Sequence, residues 1–276
     1  MTPENDPVPV VMVFAGNDPS GGAGMAADTE ALASMGAQVA PVITALTVQD
    51  TRNVQDFQAV EADWVISQAR AVLEDMPVAC FKLGMLGSLA NIEAVHTILH
   101  DYPDIPVVAD PVLFAGGGGT LAEDDVPDAL RSLILPLTTL LTPNAPEARA
   151  LAREADTLDA CAQELLAEGC EAVLITGADE PTPDVINSLF ANGRLLERWQ
   201  WPRLDESFHG SGCTLASAIA GLLAQGSDLQ SAVAEAQDYV QEALVQGYRP
   251  GLGQHIPYRL FWADLDEDDD GDDQDD

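Results

Sequence analysis

The sequence predicts an α/β fold in which helices pack on both faces of a mostly parallel central β-sheet. Short apolar runs alternate with helical stretches along the chain, as in strands joined by crossover helices. Polar residues and glycines follow directly after several of these runs, which is expected where parallel strands end at a shared crevice. No repeat or linker divides residues 1–263, so we expect a single domain.

The first half of the chain follows this pattern closely. The expected elements are a strand at Val10–Ala15, a helix at about Ala23–Ser34, a strand at Val39–Leu46, a helix at Asp63–Leu73, a strand at Cys80–Leu83, a helix at Leu89–His100 and a strand at Pro106–Ala109. Gly36 ends the first helix, because glycine readily takes the left-handed conformation found there. The last of these strands ends at Asp110-Pro111, since proline cannot donate to a strand ladder.

The second half continues the alternation and adds a hairpin. The expected elements are a strand at Thr138–Leu141, a helix at Leu158–Glu168, strands at Ala172–Thr176, Val185–Phe190 and Leu195–Trp201, and helices at about Gly212–Ala224 and Leu229–Val245. Gly169 ends the helix that precedes it, and Asn192-Gly193 favours a tight hairpin turn. We expect the acidic residues 264–276 to form a disordered tail.

The formal net charge of −35 at pH 7 limits the classes of partner. Phosphate backbones and anionic lipid surfaces would repel such a protein, so we expect neither nucleic acid nor a membrane as a partner. Adaptation to a salty cytoplasm, where screening weakens self-repulsion, is our preferred interpretation. A solubility trait without any role for salt is the alternative.

Composition and the N-terminus predict a cytoplasmic location. Met1–Pro9 lacks the basic segment of a signal peptide, and no apolar run reaches the ~18 residues that span a bilayer. The four cysteines match no zinc spacing, and three of them are expected to be small buried side chains. Cys213 differs because of its neighbours.

Gly210, Ser211, Gly212 and Cys213 give the strongest local signal of a site. Two glycines one residue apart at a helix start let several amides point at one place, where the helix adds a partial positive charge. Such an arrangement suits a phosphoryl group in transfer. We expect a lowered pKa for the Cys213 thiol and a role in accepting a proton from an attacking hydroxyl. A glycine-rich cap with a buried cysteine is the alternative.

Two weaker signals follow other strands. The segment Ala15–Gly24 lacks both the G-x-G-x-x-G spacing and the Gly-Lys-Ser/Thr of a P-loop, so it is either a flexible turn or a substrate loop. Asp110, and Glu147 after Asn144, are acids of the type that hold hydrated Mg²⁺. Each of these acids, taken alone, is also an ordinary turn or helix-start residue.

In order and spacing, these motifs resemble those of the hydroxymethylpyrimidine/phosphomethylpyrimidine kinases of thiamine biosynthesis, within the ribokinase superfamily. The matching segments, between about Val10 and Val245, are AGNDPSGGAGMAADTEAL, VITALTVQD, KLGMLGS, ADPVL, LLTPNAPEA and HGSGCTLASAIAGLLAQG. The resemblance implies a ribokinase-like three-layer sandwich. It also implies a homodimer that uses ATP and Mg²⁺ to phosphorylate 4-amino-5-hydroxymethyl-2-methylpyrimidine and then its monophosphate.

The resemblance further implies a role for each matching residue. Asp28 and Gln49 would bind the pyrimidine edge, and Gly16, Met85 and Val112 would line its pocket. Cys213 would be the catalytic cysteine, and Gly210, Ser211 and Gly212 the anion hole. Asp110, Asn144, Glu147, Thr176 and Gly177 would serve the ATP phosphates, with Asp110 and Glu147 reaching Mg²⁺ through water.

Two departures from the family pattern concern ATP. Thr176-Gly177-Ala178-Asp179 stands where the family usually has Lys-Gly-Gly-His, so a lysine that neutralises phosphate charge is missing. The run Gly116–Gly119, expected to be a mobile loop or lid, stands where the family usually has Ser-Gly-Asp. Mg²⁺ or a high K⁺ concentration is the hypothesised compensation.

Two rival functions stay open. A pyridoxal or pyridoxine kinase shares the fold and the cysteine-containing loop, although Gln49 and Met85 favour an aminopyrimidine. A non-catalytic, pyrimidine-binding regulator is the other rival, since the two departures from the family pattern would suit it.

Overall fold

The computed structural model describes residues 7–114 and 125–264, and its strands form one nine-stranded sheet. The strands are β1 (Val10–Asn17), β2 (Gln38–Gln49), β3 (Val54–Ala59), β4 (Val78–Leu83), β5 (Val107–Ala109), β6 (Leu140–Leu141), β7 (Ala172–Ile175), β8 (Asp184–Ala191) and β9 (Arg194–Pro202). Their order across the sheet is β3-β2-β1-β4-β5-β6-β7-β8-β9. The strands from β2 to β7 in this order run parallel, and β3, β8 and β9 are antiparallel to their neighbours.

Helices cover both faces of the sheet. They are α1 (Gly24–Ser34), α2 (Ala62–Leu73), α3 (Leu89–Asp101), α4 (Val126–Ala129), α5 (Ala145–Leu151), α6 (Leu158–Ala167), α7 (Ser211–Ala224) and α8 (Leu229–Val245). After α4 the chain continues as a π-helical turn, Leu130–Ile134, and a 3-10 turn, Leu135–Leu137.

The alternation of side chains along β1 shows how the two faces are buried. Val10, Met12 and Phe14 pack in one core with helices α2 to α6, whereas Val11, Val13 and Ala15 pack in the other with α1, α7 and α8. The whole of this run is buried, because a parallel strand has a helical layer on each side. This confirms the predicted three-layer α/β sandwich.

Strand β1 marks the point where the chain changes direction across the sheet. From β1 the chain passes to β2 and β3 on one side, and then crosses to β4 and onwards on the other. In open α/β sheets, ligands bind beyond the carboxyl ends of the strands at such a switch point. The fold therefore places a binding crevice next to the glycine-rich segment after β1.

Three of these elements, β3, α4 and α5, have no counterpart in the sequence-based prediction. Strand β3 alternates between exposed polar and half-buried apolar side chains, and it pairs with the C-terminal half of β2. Helix α5 starts with a capping box, in which Asn144 and Glu147 each bond the other's backbone amide, and Pro146 lies in its first turn. That cap was visible in the sequence, but the helix is too short for a clear apolar period.

Some expectations fall outside the part of the chain that the structure describes. These are the glycine run Gly116–Gly119 and the acidic tail beyond residue 264. Within the described ranges, no helix combines the length and apolar character that crossing a bilayer requires.

Candidate active site

A cleft of about 580 Å³ opens at the C-terminal edge of the sheet, beside the switch point at β1. Most of the predicted site residues line it: Gly16, Gln49, Met85, Asp110, Val112, Asn144, Glu147, Thr176, Gly210, Ser211, Gly212 and Cys213. Asp28 and Gly177 do not line it. The cleft therefore gathers residues from strand ends and loops across nearly the whole chain.

The start of α7 forms the anion-binding part of the cleft. Gly210 precedes the helix in the left-handed conformation, with φ of 88°, and no side chain caps the first turn. The first amide with an intrahelical acceptor is that of Thr214, which donates to Gly210 O, so the amides of Ser211, Gly212 and Cys213 have no intrahelical partner and stay free for a ligand. A Cβ on Gly212 would lie 4.0 Å from Asp110 Oδ2, so these amides and a carboxylate share one space.

The glycine-rich segment after β1 packs directly against this loop. A side chain at Gly210 would collide with the carbonyl oxygen of Gly22, so the close approach requires glycine. His209 Nε2 lies 2.8 Å from Asp18 Oδ2, which adds a side-chain link between the two segments. Asp18 and His209 each stand inside a motif that the sequence singled out, but sequence reasoning assigned neither of them a role.

Asp18 is a buried carboxylate that stays ionised. Burial would raise its pKa, but hydrogen bonds from His209, Gln49 and Ser20 hold that pKa well below its usual range. The amide of Ala23 also donates to Asp18, at 2.9 Å. Gln49 is thereby oriented at the end of β2, where it faces the cleft.

The Cys213 thiol differs from the sequence-based expectation. Burial raises its pKa to about 12, and the positive charge of Lys82 and the Gly24 amide oppose this only in part. The expectation of a lowered thiol pKa is wrong, because desolvation of this half-buried side chain and the nearby acids Asp110 and Asp28 oppose its ionisation. The thiol is hydrogen-bonded to Asp110, whose pKa burial raises to about 6 while Lys82 acts to lower it.

Asp28 lies behind the cleft wall rather than in the cleft. Its Oδ1 accepts hydrogen bonds from Lys82 Nζ and Ser217 Oγ, each at 2.7 Å, and all three side chains are fully buried. Its Oδ2 has no hydrogen-bond partner among the described residues. These surroundings correct the expectation that Asp28 touches the pyrimidine, because its carboxylate anchors Lys82 instead.

Lys82 is the sole lysine of the chain, and sequence reasoning gave it no role. Burial would lower its pKa, but the neighbouring carboxylates of Asp28 and Asp110 raise that pKa above its usual value. A charged residue inside the otherwise apolar run Val78–Leu83 was the signal that could have revealed it.

Glu147 holds the loop after β5 in place. Its two carboxylate oxygens accept from the amides of Leu113 and Asn144, each at 3.1 Å. Val112 lies between Asp110 and Leu113, and its φ of 34° is strained for a β-branched residue. Burial, with a contribution from Asp110, raises the Glu147 pKa to about 8.

Asp110 and Glu147 are oxygen donors of the type that suits a hydrated magnesium ion. Among the described residues, no three His, Cys, Asp or Glu side chains come together as a metal cluster. Asp110 and Glu147 are nevertheless buried oxygen donors with raised pKa values, which an added cation would stabilise in the ionised form. Mg²⁺ keeps several waters and binds through one or two carboxylates plus phosphate oxygens, so this donor set suits it.

The far end of the cleft is built around the end of β7. Thr176 lines the cleft, but the Gly177 amide donates to Asn187 Oδ1 at 3.1 Å and is unavailable to a phosphate. This corrects the expected role of Gly177. Gln237 Oε1 accepts from both Asn187 and Trp201, so a hydrogen-bonded wall that sequence reasoning missed borders this end.

The opposite end of the cleft is apolar with one polar edge. Met85 and Ala45 form a small cluster with three partly buried neighbours, Val54, Phe57 and Val112. A Cβ on Gly16 would lie 3.4 Å from the Met85 sulfur, in van der Waals contact, so the glycine leaves more open space in front of Met85. Gln49 supplies the polar edge, and the arrangement suits a flat heteroaromatic ring.

Comparison with known sequences gives one consistent family. The sequence profile described as phosphomethylpyrimidine kinase matches residues 18–259. The hydroxymethylpyrimidine/phosphomethylpyrimidine kinase of Escherichia coli K12 is 38% identical over 262 residues, which cover 91% of this chain and 97% of that protein. The thiamine biosynthesis bifunctional protein of Geobacter sulfurreducens is 38% identical over 92% of this chain, which spans only 52% of that longer protein.

Solved structures share the fold. An ADP complex of Bacillus subtilis pyridoxal kinase matches with a TM-score of 0.83 at 25% identity, covering 93% of this chain and 100% of that one. The crystal structure of phosphomethylpyrimidine kinase from Clostridium difficile matches with a TM-score of 0.74 at 29% identity, covering 86% and 100%. These matches confirm the ribokinase-like architecture.

Proposed function

Because this chain belongs to the phosphomethylpyrimidine kinase family, we propose that it transfers the γ-phosphoryl group of ATP to 4-amino-5-hydroxymethyl-2-methylpyrimidine and then to the resulting monophosphate. One observation carries the proposal. The uncapped amides at the start of α7 and the Asp110 carboxylate share a single cleft with the apolar cluster around Met85.

The pyrimidine ring is proposed to lie against Gly16, Met85 and Val112. Gln49 then meets its edge, because a primary amide can both donate to and accept from an aminopyrimidine. Asp18 lies close enough to the Gln49 amide for that amide to help lower the Asp18 pKa, so the carboxylate can orient it. In this arrangement Asp28 acts indirectly, because its carboxylate holds Lys82 in the cleft wall.

ATP is proposed to enter from the end of the cleft bordered by Asn144 and Thr176. Asp110 and Glu147 would hold Mg²⁺ through its waters, and the ion would neutralise phosphate charge there. The free amides of Ser211, Gly212 and Cys213 would then stabilise the negative charge on the transferred group.

The proposed transfer is direct, with the substrate hydroxyl attacking the γ-phosphate in line. As the new O–P bond forms, the bond between Pγ and the ADP oxygen breaks and ADP leaves. The hydroxyl proton passes to the Cys213 sulfur, and the thiol proton passes to the neighbouring Asp110 carboxylate. A strong base is not needed, because phosphoryl transfer runs through a loose transition state in which positioning and charge stabilisation dominate. Cys213 thus serves as a proton relay rather than as a thiolate.

Several further properties belong to the same proposal. We propose a cytoplasmic homodimer, adapted to high salt, in which Mg²⁺ and a high K⁺ concentration compensate for the threonine at position 176. The charge of −35 and the single lysine of the chain support the adaptation to high salt.

Pyridoxal kinase is the second candidate function. It is favoured by the TM-score of 0.83 with the Bacillus subtilis enzyme, against 0.74 with the Clostridium difficile phosphomethylpyrimidine kinase. The 38% identity with the Escherichia coli hydroxymethylpyrimidine/phosphomethylpyrimidine kinase favours the pyrimidine. We therefore keep the pyrimidine as the proposed substrate.

A single experiment separates the candidates. ADP release would be measured with hydroxymethylpyrimidine, its monophosphate and pyridoxal in turn, at low and molar KCl, with and without Mg²⁺. Mg²⁺-dependent turnover of both pyrimidines supports the proposal. Preference for pyridoxal supports the second candidate, and pyrimidine binding without turnover under any condition indicates a regulator.

A further inference from the structure

The segment Tyr248–Arg259, which follows α8, contacts the loops at the substrate end of the cleft. Gln254 N donates to Thr51 O at 2.8 Å, which ties the segment to the tip of the β2–β3 hairpin. His255 N donates to Ser207 O, and its carbonyl accepts from His209 N, which ties the segment to the chain before α7. The segment thus reaches two of the loops that surround the cleft.

Arg259, at the end of this segment, reaches the glycine-rich loop after β1. It is 1% exposed, and its guanidinium contacts both glycine-rich segments. Nε donates to Thr214 Oγ1 at 2.9 Å, and Nη2 donates to the carbonyl oxygen of Gly22. Nη1 pairs with Glu30 Oε2 at 3.0 Å, which balances the buried charge.

The contact with Thr214 extends to the anion-binding amides. The Thr214 hydroxyl accepts from Arg259 and donates to the carbonyl oxygen of Gly210 at 2.7 Å. Gly210 is the left-handed residue that turns the chain into α7. The position of one guanidinium is therefore linked, through a single hydroxyl, to the turn that aims the amides.

We propose that Arg259 is a positioning residue that holds the two glycine-rich segments in register, so that the free amides of α7 meet the substrate held after β1. Glycine-rich segments have little conformational preference of their own, so their mutual placement needs an external constraint. A guanidinium supplies it, because its donors lie in one rigid plane and can bind several fixed acceptors at once. The catalytic part of this proposal rests on the proposed function.

The alternative is that Arg259 only stabilises the fold. Both roles predict a lower melting temperature after substitution, so stability does not separate them. A positioning role also predicts a loss of kcat at temperatures where the variant is fully folded, because small misplacements of reacting groups slow transfer strongly. It further predicts that ATP binding is unaffected, because the two glycine-rich segments lie away from the nucleotide end of the cleft.

The test compares Arg259→Lys and Arg259→Gln with Tyr239→Phe. Tyr239 OH donates to the Arg259 carbonyl oxygen at 2.8 Å, so its loss loosens the same segment without touching the guanidinium contacts. We expect both arginine variants to lose about 10²-fold in kcat, with the KM for ATP unchanged, because a 1 Å displacement has that effect. Tyr239→Phe is expected to lower the melting temperature but to keep wild-type kcat.

Amide hydrogen exchange supplies a readout that does not depend on activity. In the free protein, exchange at residues 21–24 and 211–214 should rise in both arginine variants and stay at the wild-type level in Tyr239→Phe. If wild type does not phosphorylate either pyrimidine, the proposed function fails, and this exchange pattern alone decides the positioning role.

Two results would overturn the inference. Wild-type kcat and unchanged exchange in the arginine variants would reduce Arg259 to a stabilising residue. Wild-type kcat in Arg259→Lys alone would mean that charge suffices and that the planar fork has no positioning role. If Arg259→Gln does not fold, Arg259→Lys and Tyr239→Phe still make the comparison.

Discussion

Lys82 Nζ lies 2.7 Å from Asp28 Oδ1, and neither side chain has any exposure to solvent. The pair joins strand β4 to helix α1 directly behind the cleft, where the lysine charge also acts on Asp110 and Cys213. A buried ion pair is costly to break on one side only, because the remaining charge stays desolvated. The pair therefore couples the stability of the fold to the electrostatics of the candidate site.

Replacing Lys82 by Met is expected to lower the free energy of unfolding by about 3–5 kcal/mol, the usual effect of removing one partner of a buried pair. The double variant Lys82→Met/Asp28→Asn should recover much of this loss, since it leaves no unpaired charge. Urea unfolding at pH 7 measures both. Strictly additive effects of the two single substitutions would show that the residues do not act as a pair.

Replacing Cys213 by Ala is expected to abolish most of the turnover while leaving the fold intact, because it removes the proposed proton relay. Initial rates and circular dichroism check this, and Cys161→Ala, a buried cysteine remote from the cleft, is the control. Near-normal turnover in Cys213→Ala would remove the thiol from the mechanism.

The same thiol should alkylate slowly at pH 7.5 and faster as the pH rises towards 11. Its pKa is raised to about 12 by burial, so little thiolate exists at neutral pH. Iodoacetamide labelling followed by mass spectrometry of the Cys213 peptide gives the rate at each pH. Rapid labelling at neutral pH would restore the thiolate that the sequence predicted and remove the need for a relay.

Glu147 should make the protein less stable as the pH rises from about 5 to 8. Burial raises the folded-state pKa from 4.5 to about 8, so between these values the unfolded chain has lost the proton that the folded chain keeps. Glu147→Gln cannot ionise and should show a flatter dependence of the unfolding free energy on pH. Urea unfolding at pH 5, 6, 7 and 8 tests this, and equal slopes for the two proteins would contradict it.

The sequence predicted most of the sheet, and most of the site residues that it singled out do line the cleft, because these features depend on local patterns. An apolar run, the glycine turn that follows it and the polar residue at the strand end lie within a few residues of one another, so a short stretch of sequence reveals them together. The roles of Asp28 and Arg259 could not be obtained in this way, since their partners lie far along the chain: Ser217 for Asp28 and Gly22 for Arg259. The Cys213 pKa was mispredicted for a related reason, since tertiary burial outweighs the local effect of the helix start.

Stability is expected to increase with salt. The formal net charge of −35 makes self-repulsion the dominant long-range electrostatic effect, and molar salt reduces the screening length to about 3 Å. The melting temperature, measured at KCl concentrations from about 0.05 to about 3 M, should rise steadily as the screening length falls. Sucrose at matched osmolality is the uncharged control, and a melting temperature that does not respond to KCl would contradict salt adaptation.

Replacing Thr176 by Lys is expected to lower the KM for ATP by about tenfold, which corresponds to ~1.4 kcal/mol of added binding. Thr176 stands at the end of β7 with its amide bonded to Pro143 O at 3.0 Å, so the backbone can stay in place while a longer side chain enters the cleft. The new ammonium would then meet the ATP phosphates that Mg²⁺ and K⁺ are proposed to neutralise alone. Thr176→Met, similar in length but uncharged, separates charge from bulk, and the gain should shrink at high KCl. An unchanged KM for ATP in Thr176→Lys would place the phosphates elsewhere in the cleft, because a positive charge within reach of a triphosphate must alter its affinity.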